Sequence, residues 1–185
     1  MASELRFVTL VRWSWTRRFA LLLVRMMQTT EFMKSLPSVE AWNRIAVRNG
    51  LSEATIAKLT PLGSISSVQE GTILFNEGDS HSHLYFVCSG AFRLDMVTPA
   101  CGVQTILSAG VGDLLAWSSL IGDRVMTATA IAIQDSVLIT LQVSELRAAM
   151  DADSRLGYEV MQAVAGALSR RLLATRLQLL DLYGR

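Results

Sequence analysis

The sequence predicts a mainly β fold of the α+β class, a sandwich or roll framed by helices, and three observations carry that prediction. Short runs with a period of two recur between glycine turns, at intervals of roughly eight to twelve residues. Helical spacing precedes these runs. A single long helical pattern without proline follows them.

Taken in order, Val39, Trp42, Ile45 and Ala46 fall at helical spacing within residues 38–60. Leu51, Ser52 and Glu53 open a second short helix that contains Ile56 and Leu59, and Pro61 and Gly63 close the helical part. Ile73 and Phe75 then alternate with Thr72 and Leu74 before a turn at residues 76–79. Residues 84–88 form a β-rich run closed by Ser89 and Gly90, after which Phe92, Leu94 and Met96 alternate with Arg93 and Asp95. Gly102, Gly110 and Gly112 punctuate the next stretch, and residues 127–141 hold two further strands around a turn at Gln134 and Asp135. Helix returns at Ser144, Glu145 and Leu146, and a last helix runs from about Ser154 to about Tyr183.

That last helix carries an apolar stripe of Leu156, Val160, Val164, Leu168, Leu172, Thr175, Leu179 and Leu182. At 1.5 Å per residue it extends roughly 40 Å, more than a small β domain can cover. Part of the stripe must face something else, and a second copy of the same helix is the simplest candidate. A homodimer through residues 154–183 is therefore expected.

Composition narrows the class. The 185 residues are 51% hydrophobic and 18% charged, which excludes a disordered chain. The net charge of +1 gives no global reason to expect nucleic acid. It conceals an asymmetry, because residues 1–37 carry a local +4 and the remainder is −3. Two cysteines, Cys88 and Cys101, are too few for a disulfide framework or an iron–sulfur cluster, and a reducing, cytoplasmic setting is expected.

Three segments follow from this: a basic apolar extension (1–37), a β domain with leading helices (38–143) and C-terminal helices (144–185). In the extension Arg12, Arg17 and Arg18 interrupt the apolar run, so it does not qualify as a membrane span, and no small-x-small cleavage site follows. Two readings stay open. It is a basic amphipathic helix for a membrane surface or partner, or it precedes a true start at Met26, Met27 or Met33.

Specific residues carry a family resemblance over about residues 38–184. Gly71, Phe75, Glu77, Gly78 and Asp79, followed by Leu84, Val87, Gly90 and Leu94, resemble the opening strands of the cyclic-nucleotide-binding domain. Residues 173–184 resemble the last helix of short bacterial relatives of catabolite-activator-type (Crp/Fnr-like) regulators. The resemblance implies a jelly roll (double-stranded β-helix) with N-terminal helices and a long dimerisation helix. It also implies a sensing domain whose default ligand is cyclic AMP.

The same resemblance places a phosphate-binding cassette at Gly112, Asp113, Leu114, Leu115, Ala116, Trp117, Arg124, Met126, Thr127 and Ala128. In the family this cassette combines a glycine, a glutamate on the ribose hydroxyl, helix-terminal amides facing the cyclic phosphate and an arginine on that phosphate. Gly112 and Asp113 are assigned to the first two roles. The arginine position falls on Met126, which cannot pair a phosphate; Thr127 offers a hydroxyl and Arg124 lies two residues upstream. Cyclic AMP is accordingly expected to bind weakly or not at all, and no cofactor is expected. Trp117 either stacks on a ligand base or fills the pocket floor.

Rival functions are a ligand-blind dimeric scaffold of the same fold and a cupin-like metalloenzyme. The latter would use His81 and His83, but no acidic residue follows at cupin spacing, and they are expected to be solvated loop histidines. No nucleophile elbow, P-loop or zinc-protease motif is present, and neither a metal site nor an enzyme is expected. Arg170, Arg171 and Arg176 are a thin basic patch, with no helix-turn-helix following them, so direct DNA binding is not expected.

Overall fold

The structure, a computed structural model, describes residues 39–183; both readings of the 1–37 extension lie outside the described residues, as does the Leu182 side chain. Helix α1 (Val39–Asn49) buries Ala41, Trp42 and Ile45 on one face. Gly50 ends it at φ +68°, a left-handed conformation that costs glycine little, and its N–H donates to the Ala46 carbonyl (2.8 Å). Helix α2 (Glu53–Leu59) starts at Ser52, whose Oγ accepts from the Thr55 N–H at 3.3 Å. A 3₁₀ turn at Thr60–Leu62, with Pro61 in its first residues, leads into the sheets.

Eight strands follow: β1 (Gly63–Val68), β2 (Ile73–Phe75), β3 (His83–Ser89), β4 (Phe92–Thr98), β5 (Gly102–Ala109), β6 (Leu114–Leu115), β7 (Thr129–Ala132) and β8 (Ser136–Gln142). They form two antiparallel four-stranded sheets, ordered β1-β8-β3-β6 and β2-β7-β4-β5. The fold is the mainly β jelly roll that the resemblance implied. The sequence pattern did not single out β1 and β5. β1 reads Gly-Ser-Ile-Ser-Ser-Val and lacks an apolar stripe; it is held by pairing along β8 and by a 2.6 Å Ser66–Thr140 hydroxyl contact. β5 is exposed over its first four residues, so no buried face marks it.

Alternation along β3 divides the core in two. Tyr85 and Val87 point into the roll with Phe75, Phe92, Leu94, Leu115, Met126, Ala130 and Leu138. Leu84, Phe86 and Cys88 point the other way, onto Trp42, Ile45, Leu59, Leu146, Leu156, Val160 and Val164. Cys88 is thus a small core residue.

Helix α3 (Val143–Ala152) and the 30-residue α4 (Ser154–Tyr183) complete the chain. Asp153 precedes α4, its carboxylate accepting from the N–H groups of Arg155 and Leu156 and pairing with Lys58 of α2. Glu159 of α4 accepts the Ser52 N–H at 2.9 Å and so joins α4 to the start of α2. The stripe on α4 changes character along its length. Leu156, Val160, Ala163, Val164 and Ala167 are buried, whereas Leu172, Leu173, Leu177, Leu179 and Leu180 are 48–66% exposed. Near its far end the Gln178 side-chain amide donates to the Ile106 carbonyl of β5 (3.3 Å). Among the described residues, no helix is long and apolar enough to cross a membrane.

Candidate functional site

The cassette begins where β5 leaves its sheet. Gly112, at φ +81°, is buried against α1: its N–H donates to the Val87 carbonyl (2.7 Å) and its carbonyl accepts from the Asn49 amide (2.9 Å). A Cβ at this position would lie 2.6 Å from Arg48 Cδ, so close approach and left-handed backbone both require glycine. The Asp113 carboxylate accepts from Arg48 Nε at 2.7 Å and from the Gly110 N–H at 2.9 Å. It is directed at α1, outside the roll interior.

Leu114 and Leu115 form β6 and point to opposite cores. Ala116 follows at φ +56°, ψ +33°, and caps a 3₁₀ turn at Trp117–Ser119. It is one of two non-glycine residues at positive φ among those described. Ser119 stabilises the turn, donating its hydroxyl to the Ala116 carbonyl (2.6 Å) and the His83 carbonyl (2.9 Å). The left-handed residue that directly precedes the cassette helix is therefore Ala116. Gly112 and Asp113, to which the resemblance assigns the glycine and ribose-acid roles, lie upstream of that turn and pack on α1. Trp117 is half-buried and packs against the helix-side core.

Past the turn, Arg124 (φ +61°) is exposed, and its carbonyl accepts the His81 N–H at 3.2 Å. Met126 is 2% exposed, in the roll-interior cluster with Ala128. Its backbone is fixed by bonds to Asp79 and Gly78 (2.9 and 2.8 Å). Thr127 lies between these inward residues and is exposed. The structure thus brings Leu115, Ala116, Met126 and Ala128 together inside the roll and leaves Arg124 and Thr127 outside.

A neighbouring aromatic cluster was not anticipated. His81 and His83 are half-buried rather than solvated, because Phe75 and Tyr85 cover them with ring centroids 5.5–6.2 Å away. His81 Nε2 lies 2.8 Å from the Tyr85 hydroxyl. Burial pushes the Tyr85 phenol up to about 12. Burial, then the nearby His83, pulls His81 down, against an upward pull from Asp79. The signal available in sequence was His81-x-His83-x-Tyr85, three rings at period two on one face. Among the described residues, no group of three or more His, Cys, Asp or Glu could hold a metal ion.

Two packed antiparallel sheets, a short 3₁₀ turn entered from a left-handed residue and a long C-terminal helix make up a jelly-roll domain. Residues 65–153 match the family model described as cyclic nucleotide-binding domain. A cyclic nucleotide-binding domain from Methylobacillus flagellatus KT is similar with a TM-score of 0.70 and 19% identity, over 76% of this chain and 83% of that one. The catabolite activator protein of Thermus thermophilus is similar at TM-score 0.60 and 26% identity, over 76% of this chain and 63% of that one. The c-di-GMP-responsive global regulator CLP of Xanthomonas campestris gives 0.63 and 19%, over 71% and 65%. Among curated proteins none is a significant match.

Proposed function

We propose that this chain is a ligand-sensing regulatory domain that works as a homodimer and passes the state of its cassette to α4. One observation carries the reading: Arg171 of α4 donates from Nη2 to the Leu114 carbonyl at 2.8 Å. The helix that exposes a leucine face is thereby bonded to the strand that opens the cassette. A ligand that shifted residues 114–117 would act on α4 through this bond, given different affinities for the two arrangements. The exposed leucines from Leu172 to Leu180 supply the surface for a second copy. A cytoplasmic setting fits the unpaired thiols of Cys88 and Cys101.

The ligand is not held as the family holds cyclic AMP. A phosphate arginine contributes about 1.5–3 kcal/mol, so its replacement by Met126 lowers cyclic AMP affinity about tenfold to a hundredfold or more. A second reading, a ligand-blind dimeric scaffold, is favoured by the burial of Met126 in the roll interior.

Calorimetric titration with cyclic AMP and cyclic GMP, followed by sedimentation with and without ligand, separates the readings. Saturable binding that changes the dimerisation constant supports sensing. A constant dimer that binds neither nucleotide supports the scaffold. A monomer at high micromolar concentration would sink both.

A further inference from the structure

A crevice of about 150 Å³ lies between α4, the C-terminal end of α1 and the connection from β5 to β6. Arg48 enters it from α1, and Arg170 and Arg171 enter from consecutive positions on α4. Asp113 is the single carboxylate among the lining residues, so three guanidinium groups face one negative charge. Arg48 binds Asp113, Arg170 donates to Asn49 Oδ1 at 3.2 Å, and Arg171 donates to the Leu114 carbonyl. A guanidinium has more donors than these contacts use. The exposed Ser108 hydroxyl adds a further polar group at the rim.

The charge excess is held in a partly dry place. Burial lowers the Arg171 pKa, and Arg170 adds to this by like-charge repulsion against the opposing pull of Asp113. Such an excess is relieved by an anion, and planar guanidinium forks suit a tetrahedral oxyanion. Size sets the class. A volume of about 150 Å³ is small for a pocket that opens to solvent. It falls well short of the ~300 Å³ at which pockets begin to enclose larger organic ligands.

We propose that this crevice binds a small oxyanion of the phosphate class, at a site separate from the roll interior. Neither Trp117 nor Met126 lines it. An anion there would compete with Asp113 for Arg48 and would tie α1 to α4 directly. Two sources share this chemistry, inorganic phosphate and a small phosphomonoester.

The test is calorimetric titration of the full chain with inorganic phosphate and with glycerol phosphate, at ionic strength held constant with chloride. Saturable binding of either is expected, and the tighter of the two identifies the source. Arg170→Ala and the milder Arg170→Gln are each expected to weaken binding about tenfold to a hundredfold. Arg176→Ala removes an equal charge from an exposed position on the same helix and is expected to leave affinity unchanged. Cooperative melting of each variant shows that it is folded. Absence of saturable binding by the folded natural protein overturns the proposal. So does an Arg176→Ala loss as large as that of a folded Arg170 variant, since binding would then report only general charge.

Discussion

Met126→Arg places an arginine where the resemblance puts the phosphate arginine and tests whether the roll interior has closed over that position. Met126 is 2% exposed among apolar neighbours, so the substitution removes a buried side chain worth about 1.5–3 kcal/mol. It also brings a guanidinium into a cluster built from Phe75, Leu115, Ala128 and similar side chains. Desolvating an unpaired cation costs several kcal/mol, reduced by whatever part of the head reaches water. A net destabilisation of about 3–5 kcal/mol follows, large against a typical domain stability of 5–15 kcal/mol. At about 2–4 °C per kcal/mol for a chain of this size, Tm falls by roughly 6–20 °C. Cyclic AMP reverses part of the loss, because its phosphate pairs the buried cation. At a hundred times Kd it contributes about 2.7 kcal/mol. The assay is thermal denaturation of both proteins across a cyclic AMP series. An unchanged Tm for the variant without ligand would refute the reasoning, as would an equal ligand-induced rise in both proteins.

Four further outcomes are expected. Ala116→Gly relieves a left-handed alanine that costs about 1–2 kcal/mol and adds about 0.5–1 kcal/mol of chain entropy loss. Loss of the buried Ala116 methyl, about 0.8 kcal/mol, brings the net near zero, so urea denaturation should show a change within about 0.5 kcal/mol. Gly90→Ala places a Cβ 2.0 Å from Ser136 Oγ and 2.7 Å from the Asp135 carbonyl, at φ +84°. It should cost about 3 kcal/mol or more in the same assay. Glu159, held down to about 2 chiefly by the Ser52 N–H, contributes stability at neutral pH that fades as pH falls from about 4.5 towards 2. Glu159→Gln should lower stability at pH 7 by about 1–2 kcal/mol and should flatten the acid limb in melts recorded between pH 6 and pH 2. Leu177→Glu, on the exposed part of α4, should shift the monomer–dimer balance by at least tenfold in sedimentation while leaving Tm at low concentration nearly unchanged.

The fold was legible wherever burial imposed a period. Leu84 to Cys88, Phe92 to Met96 and the first half of α4 each present an apolar face to a core, and each stood out in the sequence. β1 and the start of β5 did not, because they pair along a neighbour while burying little of their own. The surroundings of the cassette residues were not legible. Gly112 and Asp113 were named for their residue types, and the structure sets them against Arg48 and Asn49 of α1. The left-handed position before the 3₁₀ turn is filled by alanine, whose side chain does not advertise it. Met126 was readable from residue type alone, since no backbone arrangement gives methionine a charge. The histidine environment was not, because nothing local places Phe75 over His81.

β5 is an outer strand of its sheet, and an outer strand offers unpaired backbone groups to any passing chain. The Gln178 amide on the Ile106 carbonyl occupies part of that border. α4 thus has a protective task besides any signalling one: its far end screens a template for intermolecular strand addition. Removing the far end of α4 would uncover that border and leave the strand open to aggregation.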